Sequence, residues 1–407
     1  MSDNKEFFRE RRAQAVFKHG ILSRYPTVFA AKTGLAGGRV VFLDGYAGRG
    51  EYEDKVPGSP LLLARTAERV AGFRAVRLLF VEKNPKDFRN LEQVMAPHLR
   101  SGDRLFCGDL RDHLPEILPL ARDTPLFAFL DPFGTALDRS QLVGDLLGRP
   151  GRAPVEVLLH ISISTVARLG GLLRRRREQG VEELGPADAK TIAHVDRFLG
   201  GTWWQEHFTP VRGEADKEQA TAAALRVAAG YLDEVCDQTG YRAVRMPVRR
   251  HPDHLPKYVL VLFTRHGDGM WYFADALGKA GREWEGAWRT EVASRDLVKA
   301  QTKYADAPEG IFDLDTLFAS EPFDPDEYEK RNRERWHTAI AGNIRGLLGT
   351  LGSFLLTDHI TDVYGGVLGA AGERHVRAAV KMLHAADVVA NTGVGDYFFR
   401  EPIRPVS

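Results

Sequence analysis

Short apolar runs alternate with helix-like segments over residues 40–160 of the chain. The apolar runs are RVVFLD, VRLLFVE, RLFCGD, FAFLD and VEVLLHIS, and the segments between them include SPLLLARTAERVA and PKDFRNLEQVM. Each run is continuous rather than alternating, which is expected of strands that are buried on both faces. Strands that alternate with helices form a parallel sheet. The pattern therefore predicts a doubly wound, Rossmann-like α/β domain.

The pattern becomes helical over residues 164–229, which predicts a helical insertion in this domain. Strand signals then resume in YRAVRMPVR and KYVLVLFTRH, and these two runs are expected to complete the sheet as its last antiparallel pair. The Rossmann-like domain is therefore predicted to span residues 1–300. The Pro- and Asp-rich stretch at residues 301–330 indicates a linker.

The last segment, residues 331–407, has a different pattern. Helical patterns in WHTAIAGNIRGLLGTLG, TDHITDVYG and ERHVRAAVKMLHAADVV precede two β-like runs around a glycine-containing turn in DVVANTGVGDYFFRE. Three helices followed by a hairpin are the order of a winged-helix domain, in which Arg374, Arg377 and Lys381 would face a nucleic-acid groove. A helical packing or dimerisation module with a solvated face fits the same pattern.

Composition narrows the possible functions only in part. The 407 residues include 56 Lys and Arg against 55 Asp and Glu, so the overall charge gives no sign of a polyanionic partner. Cys107 and Cys236 lie far apart and match no metal-binding or disulfide pattern, which favours a reducing cytoplasmic location. His251, Asp253 and His254 are flanked by prolines and lack a further partner, so no metal site is predicted. No apolar run approaches the roughly 18 residues that a spanning helix needs, so no membrane association is predicted.

Acidic and glycine residues follow four of the predicted strands. The first strand leads into an acid and a glycine-rich turn, at Asp44, Gly45, Tyr46, Gly48 and Gly50. Glycines let the backbone turn tightly and approach a ligand closely. Glu82 ends the second strand, where a carboxylate can bind both hydroxyls of a ribose. Asp109 follows the third, where its side chain or an adjacent backbone group could contact an adenine edge, and Asp131 follows the fourth.

The order of these groups favours one cofactor. A glycine turn, acids at the next two strand ends and an Asp-Pro-aromatic motif are the layout of a class I S-adenosylmethionine (SAM) site at the carboxyl edge of the sheet. A nicotinamide enzyme shows a similar turn, but its helix follows at once, whereas here Ser59 and Pro60 mark a later helix start with Ser59 as the N-cap. Any one of these acids could instead cap a helix or pair with a surface Arg.

The motif formed by Asp131, Pro132 and Phe133 is predicted to hold the methyl acceptor. Methyl transfer from a sulfonium is an in-line displacement, so the lone pair of the acceptor must lie against the methyl carbon. A carboxylate and a carbonyl that accept the two N–H groups of an exocyclic amine draw its lone pair out of conjugation and stabilise the developing charge. Pro132 fixes the turn, and Phe133 offers a ring on which a base could stack. An exocyclic amine of a nucleic-acid base is therefore the favoured acceptor.

At these motifs the chain resembles the three-Cys-motif partner protein family. This is a group of predicted class I methyltransferases whose genes lie beside a protein with a three-cysteine, radical-SAM-like motif. The resemblance rests on FKHGILSRY, FLDGYAGRG, VPGSPLLLA, FVEKN, FLDPFG and KYVLVLFTRHGDGMWYFADAL, and it covers most of residues 1–280. It implies a SAM-dependent methyltransferase with a C-terminal winged helix, and it makes the neighbouring three-Cys-motif protein a candidate partner.

The Lys-His pair, the PGSP segment and the Asp-Pro-aromatic motif are also similar to the adenine-N6 methyltransferases of large-subunit ribosomal RNA. This similarity implies that Lys18, taken as a catalytic residue, and His19, taken as a cofactor ligand, lie near the cofactor. It also implies that Gly58 and Ser59 border it. Those enzymes usually show Asp-Pro-Pro followed by Tyr or Phe, whereas this chain has one proline and Phe133 comes one place earlier.

The sequence leaves three functions open. The first is a methyltransferase acting on a base of DNA or RNA, with the tail positioning the substrate. The second is a methyltransferase whose acceptor is a protein or a modified peptide. The third is a nucleic-acid-binding adaptor that binds the cofactor without turnover. Residues 174–177, with Arg168, could bind phosphates, and Trp203 and Trp204 could stack bases, but a solvated helix face and core tryptophans explain them as well.

Overall fold

The computed structural model describes residues 13–33, 38–52, 55–132, 137–179, 185–208, 217–303 and 323–406. The chain divides into two compact units, the first built mainly from Leu22–Met270 and the second from Glu10–Ile21 and Trp271–Ser407. Helix α1 (Ala13–Leu22) thus belongs, up to Ile21, to the second unit. The division at Met270 comes before the domain boundary that the sequence suggests near residue 300, and that boundary stays a prediction.

A mixed sheet forms the centre of the first unit. Its strands, among the described residues, are β1 (Arg39–Asp44), β2 (Ala75–Glu82), β3 (Arg104–Cys107), β4 (Leu126–Leu130), β5 (Val155–Ser162), β6 (Arg242–Val248) and β7 (Tyr258–Thr264). They lie in the order β3-β2-β1-β4-β5-β7-β6. Strands β1 to β5 pair in parallel, and β7 runs antiparallel to both β5 and β6. The predicted Rossmann-like α/β fold and its antiparallel last pair are confirmed.

Continuous apolar runs place these strands in the interior. All five residues of β4, LFAFL, are buried, as are all seven of β7, YVLVLFT. Strands that are apolar on both faces need helices on both sides to cover them. The helices that precede or connect the parallel strands are α2 (Tyr25–Thr33), α3 (Ser59–Val70), α4 (Pro85–Met95) and α5 (Leu110–Leu120), with a π-helical turn at Gln141–Leu147.

The segment between β5 and β6 lies mainly in helices where the structure describes it, and the bounds of the insertion stay a prediction. It contains α6 (Ile163–Glu178), α7 (Pro186–Leu199), a 3-10 turn (Trp203–Phe208) and α8 (Lys217–Thr239). Trp204 is fully buried and donates its indole N–H to Asp196 Oδ1 at 2.7 Å. Trp203 packs against the same core and donates to the Leu199 carbonyl at 3.1 Å. Trp204 is therefore a core residue, and Trp203 is partly buried against that core.

The second unit holds the end of the chain. Its elements are the greater part of α9 (Gly267–Lys303), then α10 (Pro325–Leu351), β8 (Phe354–Leu355), a 3-10 turn (Leu356–His359), α11 (Ile360–Tyr364), a 3-10 turn (Gly365–Val367), α12 (Glu373–Ala385), a 3-10 turn (Phe398–Arg400) and β9 (Pro402–Ile403). Most of the predicted linker lies outside the described residues, and α10 begins before its predicted end. No helix in the described ranges is both long and apolar enough to cross a membrane.

The predicted C-terminal hairpin is wrong in its second half. Val389 forms an antiparallel bridge with Pro405, and β9 pairs with β8. The run YFFRE, predicted to be a strand, contains the 3-10 turn Phe398–Arg400 instead. Phe398 and Phe399 are both buried there, and the Phe399 ring stacks on Trp271 with centroids 4.6 Å apart. Because packing uses both neighbouring rings, the run cannot alternate as a half-buried strand does.

Candidate functional site

The sheet reverses its strand order at β1, which pairs with β2 on one side and with β4 on the other. In open α/β sheets, ligands bind outside the carboxyl ends of the strands at such a reversal. Asp44 ends β1 and Asp131 follows β4, so both predicted site residues flank this position. A cavity lies here, lined by Tyr46, Ala47, Gly48, Arg49, Gly50, Glu51, Tyr52, Gly58, Ser59 and Asp131. Of the predicted cofactor residues, Tyr46, Gly48, Gly50 and Ser59 line this cavity.

Glycines shape the turn after β1. Gly48 has a φ of +63°, in the left-handed region that favours glycine, and its N–H donates to Glu82 Oε2 at 2.8 Å. Gly58 donates its N–H to the Gly50 carbonyl at 2.8 Å. A Cβ at position 58 would lie 2.7 Å from that carbonyl oxygen. The glycine of the PGSP segment therefore allows the two sides of the turn to meet.

Asp44 is a fully buried acid beside this cavity. Its Oδ1 accepts the Tyr46 N–H at 3.1 Å, whereas no described residue donates a hydrogen bond to Oδ2. Burial is the main reason why the pKa of Asp44 is raised to about 7; the nearby Ser59 hydroxyl and the Tyr46 N–H lower it only in part. A buried carboxylate oxygen without a donor is costly, so a cationic group of a ligand would stabilise it.

Ser59 does not cap its helix as the sequence predicts. The N-cap of α3 is Gly58, and Ser59 is the first helical residue, followed by Pro60. No side chain caps the helix start, and the Ser59 hydroxyl lies beside Asp44 instead. Ser59 therefore borders the cavity through its side chain, while the N–H groups at the start of α3 add positive partial charge.

Glu82 ties the end of β2 to the turn after β1. Its Oε2 accepts the Gly48 N–H at 2.8 Å, and its Oε1 accepts the Asn84 N–H at 2.6 Å. Burial raises the pKa of Glu82, and these backbone donors oppose that shift. An ionised carboxylate offers about four lone-pair directions, so acceptor capacity remains for the hydroxyls of a ribose.

The Asp109 carboxylate has hydrogen-bond and ion-pair partners at the start of α5. Its Oδ1 accepts the Arg111 backbone N–H at 3.1 Å, which makes it the N-cap, and its Oδ2 lies 2.9 Å from both the Arg111 guanidinium and the Lys83 ammonium. The hydrogen bond from Arg111 is the main reason why the pKa of Asp109 lies well below its usual range. Because the carboxylate serves the helix start and two cations, the predicted adenine contact now depends on neighbouring backbone groups.

Asp131 meets two residues that the sequence analysis missed. His160 Nδ1 lies 3.0 Å from Asp131 Oδ1, and the Tyr258 ring packs against the imidazole with centroids 4.3 Å apart. The sequence pattern gives no signal for this contact, because it depends on strand register: Leu130 pairs with Leu159, so the residues that follow these two are neighbours. Pro132 is described, while Phe133 lies outside the described residues.

Other predicted residues lie away from this cavity or in the second unit. Lys18 and His19 lie on α1, where His19 is buried, and their place near a cofactor stays a prediction. Residues 174–177 lie on α6. His251 Nδ1 is 3.4 Å from Asp253 Oδ2. Within the described ranges, no group of three or more His, Cys, Asp or Glu side chains is placed to hold a metal ion.

Comparison with known proteins gives weak similarity only. No family model matches the chain, and no curated protein matches it. Rv0187 from MTB, solved with its cofactor bound, is 16% identical, and the match covers 63% of this chain and 83% of that one with a TM-score of 0.31. The O-methyltransferase TomG from Streptomyces achromogenes, solved with SAM, is 10% identical over 65% of this chain and 94% of that one, with a TM-score of 0.31.

The cyclopropane synthase MmaA2 from Mycobacterium tuberculosis is 13% identical, and its match covers 63% of this chain and 69% of that one with a TM-score of 0.25. Similarity at this level assigns no family to the chain. The fold assignment rests on the strand order and pairing within the sheet itself.

Proposed function

We propose that this protein is a SAM-dependent methyltransferase. The main support is that Asp44 and Glu82 bind the turn that lines a cavity together with Asp131, and that one buried oxygen of Asp44 lacks a donor among the described residues. Asp44 would bind the ammonium group of the cofactor, and Glu82 would bind its ribose hydroxyls. SAM supplies a methyl group on a sulfonium, and the residues of this chain would orient that group toward Asp131.

The acceptor in this proposal is an exocyclic amine of a DNA or RNA base. The Asp131 carboxylate would accept one N–H of the amine, and a backbone carbonyl of the Asp-Pro turn would accept the other. Both bonds orient the lone pair toward the methyl carbon, and the carboxylate stabilises the positive charge that develops on nitrogen. A protein or modified-peptide amine would satisfy the same two acceptors, so it is the alternative substrate class.

Residues 331–407 of the second unit are proposed to form a winged-helix domain that positions the substrate. Support comes from the order α10, β8, α11, α12 and from the pairing of residues near Val389 and in β9 with their partners. The basic residues of α12 differ in availability. Arg374 forms an ion pair with Glu329, and Arg377 is 3.0 Å from Glu373 and donates to the Gly395 carbonyl at 2.8 Å.

Lys381 is exposed and, unlike Arg374 and Arg377, forms no ion pair with another described residue. A nucleic-acid contact from α12 would therefore depend most on Lys381. The neighbouring three-Cys-motif protein remains a proposed partner on the strength of the sequence resemblance.

Titration calorimetry tests the cofactor assignment. We expect SAM and S-adenosylhomocysteine to bind with about micromolar affinity and the reduced nicotinamide cofactors not to bind. Glu82→Ala should weaken SAM binding at least about tenfold, because it removes acceptors for the ribose and releases the Gly48 turn. Glu92→Ala is the matched control, since Glu92 is an exposed acid on α4. Absence of binding by either sulfur compound would contradict the proposal.

A second step identifies the acceptor class. Protein with bound, methyl-labelled SAM would be incubated with separate pools of DNA, RNA and cellular protein. Label in a nucleic-acid pool supports a base as the acceptor, and label in protein alone supports the peptide alternative. Tight SAM binding without transfer to any pool would instead favour a non-catalytic adaptor.

A further inference from the structure

We propose that His160 is a positioning residue that holds the Asp131 carboxylate in the orientation required by the acceptor, an inference that rests on the proposed methyl transfer. Asp131 directly follows β4, and His160 lies on β5, the parallel neighbour of β4. Leu130 of β4 pairs with Leu159 of β5, and the next residue of each strand carries the polar side chain. The register of β4 and β5 therefore brings the two residues side by side.

The two side chains are close and largely shielded. His160 Nδ1 lies 3.0 Å from Asp131 Oδ1, and their side chains are 12% and 22% exposed. The Nδ1 atom is buried, but its N–H is not aligned with Oδ1 for a hydrogen bond. Hydrogen bonds of catalytic groups are often misaligned and tighten only in the substrate complex. A small rotation of the carboxylate, of the kind that acceptor binding would impose, would align the pair.

Tyr258 restricts the imidazole on its other side. In the antiparallel pairing of β5 and β7, His160 is opposite Leu260, and Tyr258 is two residues before Leu260 on the same face of the sheet. The two rings make an edge-to-face contact, with centroids 4.3 Å apart and an interplanar angle of 73°. Burial, and then the charge of Asp131, raise the pKa of Tyr258 well above its usual range, so the phenol stays protonated.

This arrangement assigns a distinct task to each nitrogen of His160. A neutral imidazole that donates from Nδ1 keeps an acceptor lone pair on Nε2. The Nδ1–H contact stabilises the ionised form of Asp131 and restricts rotation of its carboxylate. A carboxylate that accepts from the acceptor amine must be ionised and correctly turned. Once the pair is aligned in the substrate complex, the contact with His160 would supply both conditions.

Two substitutions separate positioning from proton transfer. His160→Asn keeps an N–H near the position of Nδ1 but cannot take up a proton, whereas His160→Leu removes the donor altogether. We expect His160→Asn to keep the transfer rate within about tenfold and His160→Leu to lower kcat about a hundredfold, because a misplaced group costs that much. SAM affinity should stay within about threefold in both. Equal loss in both variants would contradict positioning and assign His160 as a base.

Nitrogen-15 NMR of the histidine rings tests the contact independently of any transfer. The His160 signals are identified by their loss in His160→Asn. We expect the Nδ1–H tautomer in the natural protein and a change to the Nε2–H tautomer in Asp131→Ala, which removes the acceptor oxygen. An Nε2–H tautomer in the natural protein, or unchanged ring signals in Asp131→Ala, would overturn the proposal. Failure of SAM to bind in calorimetry would reject the proposed function without altering these signals, so the two failures are distinguishable.

Discussion

Two acids of the first unit, Asp44 at the carboxyl end of β1 and Glu156 near the amino end of β5, are both buried but differ in their hydrogen-bond partners. They are 0% and 3% exposed, and burial raises the pKa of each to about 7. Both oxygens of Glu156 accept hydrogen bonds, from the Tyr25 and Thr264 hydroxyls at 2.7 Å each. Asp44 has a donor on Oδ1 only, among the described residues.

This difference separates a structural acid from a candidate ligand acid better than the pKa does. A satisfied buried network stabilises a fold, whereas a buried oxygen without a donor costs free energy. Glu156 lies within such a network, and Asp44 lies beside a cavity at the strand reversal. Raised pKa values therefore mark both residues, and incomplete hydrogen bonding together with the position beside the cavity distinguishes Asp44 from Glu156.

The second unit shows the same distinction among basic residues. Glu329 is 2% exposed and is contacted by Arg282 at 3.0 Å, by Arg374 and by His375 Nε2 at 3.3 Å. Burial lowers the pKa of His375 to about 4, and its Nδ1 accepts the Gly372 N–H at 2.9 Å, so the neutral ring presents Nε2–H to Glu329. The guanidinium of Arg374 is thus paired with Glu329 within the second unit.

The largest expected effect comes from Asp131→Ala. Removing the carboxylate that accepts the amine N–H should lower methyl transfer about a thousandfold, the size seen when one donor or acceptor to a developing charge is lost. SAM affinity should change by no more than a few-fold, because Asp131 is proposed to face the acceptor and not the cofactor. Transfer rates and calorimetry on the same preparation check this. Loss of SAM binding would make Asp131 a structural or cofactor residue.

Asp44→Asn should weaken cofactor binding, whereas Asp131→Ala acts on the methyl acceptor. The amide cannot neutralise the ammonium group of SAM, and loss of one partner of a buried charge pair costs about 2–5 kcal/mol, or at least about thirtyfold in Kd. The same change should raise the Tm at about pH 8, because it removes a buried charge. Calorimetry and thermal unfolding measure the two effects. Glu156→Gln is the matched control and should leave SAM affinity unchanged. Unchanged SAM affinity in Asp44→Asn would contradict the distinction between Asp44 as a ligand acid and Glu156 as a structural acid.

The sequence predicted the sheet and its edge because these follow from local pattern. Continuous apolar runs specify buried strands, and acids placed directly after parallel strands must meet at one edge. Asp44, Glu82 and Asp131 were found in this way. His160 and Tyr258 were not, because their contact with Asp131 depends on strand order and register, which are tertiary properties.

Other differences have equally local causes. The sequence does not predict the ion pairs of Asp109 with Arg111 and Lys83, because the side chains of these two cations could adopt other orientations. The run YFFRE has the composition of a strand, but its rings are used in packing against Trp271, so the strand comes later. Sequence propensity therefore predicted the strands and helices of the continuous core. It was wrong at YFFRE, where aromatic packing determines the backbone conformation.

Glu156→Gln sharpens the comparison through the pH dependence of stability. The pKa of Glu156 is raised in the folded protein, so the folded state holds its proton more tightly than the unfolded state does. The contribution of Glu156 to the free energy of unfolding is therefore greatest below the ordinary glutamate pKa. This contribution falls as the pH rises toward about 7 and is constant above that pH. Thermal unfolding followed by circular dichroism should show a Tm decline over this window that is smaller by a few degrees in Glu156→Gln. Identical profiles would contradict the shifted pKa.

The smallest expected effect concerns Lys381 and Arg374. Because Lys381 is exposed on α12, Lys381→Ala should weaken nucleic-acid binding about two- to threefold and reduce the salt slope by about one, without changing the Tm. Arg374→Ala should instead lower the free energy of unfolding by about 1–3 kcal/mol, because Glu329 loses a partner while buried. Fluorescence anisotropy with a labelled duplex over about 50–200 mM salt, together with thermal unfolding, separates the two outcomes. If Arg374→Ala weakened binding as much as Lys381→Ala and left the Tm unchanged, Arg374 would be a nucleic-acid contact and its ion pair with Glu329 would have no structural role.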